Sequence, residues 1–399
     1  MPDALSNLTV LDLSHALAGP FASTMLAQYG ANVIKIESPA GDITRRWGPP
    51  FYQSESAYFV HLNPNKRSVV LDLKQPAGRE VFLHLAAQAD IVLENLHIGA
   101  VTTLGVDYET VAARNDRIIY CSISGFGQAG PYRDRPALDL VLQAEAGMIS
   151  VTGEAGREGV RAGVSIADIT AGLYAAFGIL AAVNARTLTG RGQFVDVSMM
   201  DGQLGILQNV IGAYLADGAV PRPTGNAYPT LFPYQTFKTQ TRDLALGIPS
   251  DSRWRALCAI LGVAGLADDA RYATNAARST NRASLLAILE PVFMSKSYEA
   301  WESQMVAAGV PVGAINDIAA VVDHPQVAAR RSLVSVDHPV AGAIDVVAPV
   351  ARLTDTPGHV REPAPLLGEH TDAVLRERLG YDDERLAQLR RDGVTAPKR

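Results

Sequence analysis

Asp168 is the residue with the most chemistry to offer in this 399-residue chain. It stands in Arg161-Ala-Gly-Val-Ser-Ile-Ala-Asp-Ile-Thr-Ala-Gly172, at the entrance to an apolar run from Ile169 to Leu188 whose small residues recur at helical spacing. An Asp at a helix start ordinarily caps it, accepting a bond from an orphan backbone N–H and contributing about 1 kcal/mol. The same N–H groups would keep the carboxylate ionised and able to attack an electrophile. The local sequence leaves both readings open.

Around Asp168 other groups invite a site. His15 lies in the first loop after a predicted strand, and Arg45, Arg46, Lys66, Arg67 and Lys74 cluster near strand ends. In a parallel α/β sheet, ligands gather in loops beyond the carboxyl ends of the strands, so these cations can meet phosphates or carboxylates as well as solvent. Gly125-Phe-Gly127-Gln-Ala-Gly130 matches the spacing GxGxxG, but Pro131 and the polar run to Pro136 follow where a nicotinamide site requires a helix. It reads as a glycine-rich loop, not a dinucleotide site.

The elements that must position these residues alternate. Leu8–Leu13 reads as a strand, Phe21–Tyr29 as a helix, Asn32–Glu37 as a strand, then strand Arg67–Leu73, helix Pro76–Gln88, strand Asp90–Glu94, helix Tyr108–Asn115 and strand Arg117–Ser122. The apolar run carrying Asp168 and a strand Gln193–Ser198 complete the alternation, which predicts a mostly parallel sheet covered on both faces. A helix is expected over Met199–Leu215, and the proline-rich stretch Ala219–Pro233 marks a change of domain. Beyond it come strand Leu244–Ile248, helices Ser252–Leu261, Arg282–Phe293 and Tyr298–Gly309, strand Val310–Ile315, β-type runs Ser332–Asp337 and Ala343–Val347, and a helical tail His370–Arg391. The expected division is a large domain 1–200, a linker 201–225, a small α/β domain 226–325 and a C-terminal segment 326–399.

With 48% apolar and 19% charged residues the composition is that of a globular protein. A net charge of −6 argues against a nucleic-acid surface, and the apolar helix is interrupted by Asn184, Arg186 and glycines, so neither nucleic acid nor membrane is an expected partner. Cys121 and Cys258 are too few for a disulfide framework and no spacing marks a metal site, which fits the cytoplasm.

Seven stretches, in order, together resemble the class III CoA-transferases. They are Leu17-Ala-Gly-Pro20, Ala31-Asn-Val-Ile-Lys-Ile-Glu37, Asn65-Lys-Arg-Ser68 with Leu71-Asp-Leu-Lys74, Glu94-Asn95, Asp168-Ile-Thr-Ala-Gly172, Thr189-Gly-Arg-Gly-Gln193 and Pro365-Leu-Leu-Gly-Glu-His-Thr371. Gly41-Asp-Ile-Thr-Arg45, Trp47-Gly-Pro-Pro50 and Pro233-Tyr-Gln-Thr-Phe-Lys238 are similar to the succinyl-CoA-dependent dicarboxylate branch.

The resemblance implies an interlocked homodimer in which each chain has a Rossmann-like large domain, a small domain and a C-terminal stretch returning to the large one. It places Asp168 as the nucleophile and coenzyme A as a co-substrate, with no permanently bound cofactor. Ala18, Leu71, Asp72, Leu73, Lys74, Asn95 and Leu96 would line the CoA site; His15 is a further candidate there, and Arg45, Arg46, Arg161 and His15 are the candidates for holding a second carboxylate of the acid substrate.

The chain departs from formyl-CoA transferase at Leu17, where that enzyme has a glutamine, and at Ser38 and Thr103, where it has arginines. No glycine-rich loop stands near Gly247-Ile-Pro-Ser250. An acyl-CoA racemase of the same superfamily needs a histidine where this chain has Leu138, and a CoA-ester binding protein without turnover is the remaining alternative. Donors for the oxyanions of acyl transfer are expected at the start of the Asp168 helix or in the Gly125–Gly130 loop.

Overall fold

The computed structural model describes residues 2–396. Contacts divide the chain into one unit of Met1–Met148, Ala162–Ala219 and Pro325–Arg399 and a second of Ile149–Arg161 and Val220–His324. Residues 201–219, read as linker, belong to the first unit, and 149–161, read as part of the large domain, to the second.

The first unit is built on six parallel strands: β1 (Thr9–Asp12), β2 (Asn32–Glu37), β3 (Lys66–Val70), β4 (Ile91–Glu94), β5 (Ile119–Ser124) and β6 (Gln193–Ser198). They lie in the order β3-β2-β1-β4-β5-β6, the order of doubly wound dinucleotide-binding sheets. All of β4 and β5 is buried, as a parallel strand covered on both faces must be.

Helices α1 (Ala18–Gln28), α2 (Ala57–Leu62), α3 (Asp139–Glu145), α4 (Ile166–Thr189) and α5 (Met199–Ile206) also belong to this unit. One core joins Val10, Val33, Ile91 and Ile119 to α1 and α4, and the other joins Leu11, Ile34, Val69 and Val92 to helix Pro76–Ala86 and the C-terminal helices Thr371–Leu379 and Asp383–Arg391. The chain after residue 325 thus packs with the first unit. α4 ends at Gly190, whose φ of +74 supplies the left-handed cap that a side chain resists. By length and composition alone α4 could cross a membrane, yet its Ala167, Ala171, Ala175 and Ile179 are core.

Several boundaries moved. The helix expected over Met199–Leu215 is broken at Leu207 into α5 and Gln208–Asp217, and the helical tail is broken at Gly380, another left-handed cap. Leu71 to Lys74, expected to continue a strand, form the turn after β3.

The second unit is a three-stranded antiparallel sheet with Leu244–Gly247 between Tyr234–Phe237 and Val312–Ala314. It is backed by helices that include Asp251–Ile260, Arg282–Phe293 and Tyr298–Ala307. Trp254, Trp301, Phe293 and Leu289 fill its core, with Phe237 and Phe293 stacked 4.3 Å between centroids.

Candidate active site

The strand order reverses between β1 and β4, and the loops leaving their carboxyl ends define the crevice where such sheets bind ligands. Asn95, just past β4, bridges that crevice. Its Oδ1 accepts the His15 N–H at 2.8 Å and its Nδ2 donates to the His15 carbonyl at 2.8 Å.

The β1 loop is held further by a charged network in the interior. Lys66 Nζ donates to Asp12 Oδ2 (3.1 Å), Asn63 Oδ1 (3.0 Å) and the Pro20 carbonyl (3.0 Å); Lys35 Nζ donates to the Ser14 carbonyl (2.8 Å) and pairs with Asp42 at 2.9 Å. Asp12 also accepts from the Ser14 N–H and the Ser23 hydroxyl. Burial opposes the ionised forms, but the two lysines outweigh it at Asp12 and hold its carboxyl well below the usual range. Both ends of the loop from Ser14 to Pro20 are thereby anchored on ammonium groups.

That loop delivers its product at Ala18. Ala18 opens α1, the N-cap position Leu17 makes no side-chain cap bond, and the Ala18 N–H favours the ionised form of the Asp168 carboxylate. The approach of α4 to this turn requires Gly172, since a Cβ there would come within 2.7 Å of the Ala18 carbonyl oxygen.

Asp168 is not the N-cap of its helix. Ser165 holds that position and Asp168 is the third helical residue. Its ionisation also differs from expectation: burial first, and the Asp139 carboxylate second, push its pKa up to about 6 against the pull of the Ala18 N–H. At pH 7 a group with that pKa is still about nine-tenths ionised, less stabilised than a surface carboxylate and available to attack.

Tyr58 on α2 went unnoticed in the sequence, in a stretch where no helix was expected. Its hydroxyl is pushed up to about 12 by burial and by Asp168, Asp42 and Asp139, so it remains an O–H donor facing these carboxylates. Its ring meets Trp47 edge-on at 5.1 Å.

Of the expected CoA-lining residues, His15, Leu71, Asp72, Leu73, Lys74 and Leu96 share one cavity of about 120 Å³ with Leu13, Ile36, Glu37, Ser38 and Leu104. Asn95 orients the loop beside it, and Ala18 serves Asp168. Burial and the Lys35 charge lower the pKa of His15, leaving a neutral imidazole, with Nδ1 3.8 Å from Asp42.

Arg45 has to be reassigned. Its Nε and Nη2 pair with both oxygens of Glu37 (2.8 and 2.7 Å), Nη1 and Nη2 donate to the Pro365 carbonyl (3.1 Å), and the guanidinium lies 3.8 Å over the Phe59 ring. The fork that was to grip a substrate carboxylate closes a C-terminal segment onto the sheet. Arg46 is exposed at the end of the same turn, and Arg161 belongs to the second unit. Two expected oxyanion donors are also occupied, because Gly127 N–H bonds to Ser124 Oγ and Gln128 N–H to Asp196, each at 3.0 Å. No helix follows Gly130 until Asp139, as the rejection of a nicotinamide site anticipated.

The first unit thus combines a doubly wound parallel sheet, a cavity at the carboxyl ends of its strands, where such α/β folds bind ligands, and a half-buried carboxylate in the first turn of a helix. The model for CoA-transferase family III matches residues 5–371, and the chain belongs to that family and is a CoA-transferase. It is similar to the human succinyl-CoA:glutarate CoA-transferase, 37% identical over 391 residues covering 98% of this chain and 89% of that protein. It is 39% identical to the succinate–glutarate CoA-transferase of Agrobacterium fabrum strain C58 over 380 residues, 94% of this chain and 95% of the relative. The crystal structure of a CaiB/BaiF family protein from Brucella suis superposes with a TM-score of 0.85 at 38% identity, covering 95% of this chain and 100% of that one.

Proposed function

We propose that the protein transfers coenzyme A from succinyl-CoA to a small dicarboxylic acid through covalent intermediates on Asp168. The observation that carries this reading is the Asp168 carboxylate itself, half-buried in the first turn of a helix, its ionised form favoured by the Ala18 N–H and opposed by burial and Asp139. The names of the human and Agrobacterium relatives support the donor and the acceptor class.

In this mechanism an Asp168 oxygen attacks the thioester carbon, the C–S bond breaks, and CoA leaves as thiolate from a mixed anhydride. The thiolate then attacks the Asp168 carbonyl, expelling the donor acid and leaving an aspartyl-CoA thioester. The acceptor carboxylate displaces CoA to form a second anhydride, and the thiolate finally takes the acceptor acyl group, releasing Asp168 as carboxylate. When Asp168 carries the acyl group, the charge that develops is assigned to the Ala18 N–H and the Tyr58 hydroxyl, the two donors whose electrostatics are tied to Asp168.

The far carboxylate of the acceptor is assigned to Arg46, exposed at the end of the turn after β2 beside the committed Arg45. A second copy of the chain is assigned to the face of α4 that exposes Leu173, Tyr174, Phe177, Leu180 and Leu188, in an interlocked homodimer.

Succinyl-CoA assayed against a panel of mono- and dicarboxylates should show transfer to a dicarboxylate, with Asp168→Ala losing at least about 1,000-fold. Arg46→Met should lose roughly 10- to 150-fold in kcat/KM with the dicarboxylate alone. An Asp168→Ala enzyme retaining a tenth of the activity refutes the nucleophile, and equal losses with both acceptor classes refute Arg46.

A further inference from the structure

We propose that Asp139 is a positioning residue for Asp168: it caps the nucleophile's helix in place of the idle Ser165 and, as a second negative charge beside it, makes Asp168 a stronger nucleophile. The inference rests on Asp168 being the nucleophile. The geometry is that of a staple between two helices. Asp139 Oδ1 accepts the N–H of Ala167, the residue next to Asp168, at 2.9 Å, whereas Ser165 at the N-cap position makes no side-chain bond. Asp139 Oδ2 accepts from Gln143 Nε2 at 2.8 Å.

Gln143, one turn along α3 and fully buried, completes the staple. Its Oε1 accepts the Ala162 N–H at 2.8 Å and its Nε2 also reaches the Val164 carbonyl at 3.3 Å. The lead-in from Ala162 to Ala167 is therefore fixed by two side chains of a helix that begins 29 residues before Asp168 in the chain. An N-cap from a distant helix fixes where the carboxylate stands as well as satisfying an orphan donor.

The choice of Asp for this cap has a cost that Ser, Thr or Asn would avoid, since two carboxylates then share one neighbourhood. Burial and Asp139 both destabilise the Asp168 carboxylate, and a less stabilised carboxylate is the better nucleophile as long as it stays ionised at working pH. The other groups around it do not supply this push. From α2 comes Tyr58, protonated; Asp42 faces Tyr58; α1 brings only the Ala18 N–H; β5 brings Cys121, a thiol held neutral by burial; the Asp196 of β6 accepts the Gln128 N–H; and Asp201 on α5 is exposed.

Asp139→Asn and Asp139→Ala separate cap from charge. In the Asn variant the amide oxygen can still accept the Ala167 N–H while its NH2 can no longer accept from Gln143 Nε2, so it should fold with a slightly lowered thermal midpoint, drop about 3- to 10-fold at the pH plateau, and move the acid limb of kcat/KM to lower pH. In the Ala variant the cap is gone as well, and kcat should fall about 10- to 100-fold at every pH, with Asn restoring part of it. An acid limb that stays in place in Asp139→Asn, or an Asp139→Ala enzyme with the wild-type plateau, overturns the proposal. Mass analysis of the Asp168 peptide during turnover distinguishes the two failures, because an acyl-dependent adduct with an unmoved limb removes only the role of Asp139, whereas no adduct removes the nucleophile itself.

Discussion

At the scale of the residue, Asp168 is held in a state that folding alone would not choose. Its pKa is raised above that of an unfolded Asp, so the cost is absent below about pH 4, develops as pH rises through about 6, and is complete at pH 8. Asp168→Asn should therefore raise unfolding free energy by about 1–3 kcal/mol at pH 8 and leave it unchanged near pH 4, measured by urea denaturation at both pH values. The same titration predicts an acid limb in kcat/KM near pH 6. The helix that carries Asp168 was legible from its apolar run, and Asp168 was singled out by its place at the start of that run and by the resemblance. The charge partner Asp139 and the donor Ala18 were not, since nothing local in sequence reports on which distant helix caps which. Arg45 was misread for the same reason: its acceptor Glu37 lies across a turn and its carbonyl partner 320 residues away.

At the scale of the element, the loop from Ser14 to Pro20 is the part that joins sheet to chemistry, and its anchors are charges in the interior. Removing one member of a buried pair leaves the other uncompensated, which costs about 3–5 kcal/mol, whereas removing both costs less. Lys66→Met should accordingly destabilise by about that amount in urea denaturation, and Asp12→Asn added to it should recover part of the loss. A double variant no more stable than Lys66→Met alone would contradict this pairing. The strands were the best-read elements. β2 and β6 fall on their expected bounds: β2 is a short apolar run buried from Val33 to Glu37, and β6, an edge strand exposed at Gln193, Phe194 and Asp196, is marked by the β-branched Val195 and Val197. The short helices α2 and α3, which bear Tyr58 and Asp139, were missed because neither is long enough to show a helical period.

At the scale of the molecule, the strand order 3-2-1-4-5-6 explains why residues from the loops after β1, β3 and β4 share one cavity. The alternation of strands and helices announced the parallel sheet, but pairing order is set by long-range contacts that no local pattern encodes. The apolar face of α4 predicts a partner copy, and an interlocked one should not dissociate, so sedimentation at nanomolar concentration should show dimer. A folded monomer there would refute it. The central claim is that acyl transfer passes through Asp168, and the most direct measurement adds hydroxylamine during turnover with succinyl-CoA and examines the peptide containing residue 168 by mass spectrometry. The account predicts a hydroxamate on Asp168 that forms only when acyl-CoA is present. Full turnover with an unmodified Asp168, or a hydroxamate on another carboxylate, would contradict it.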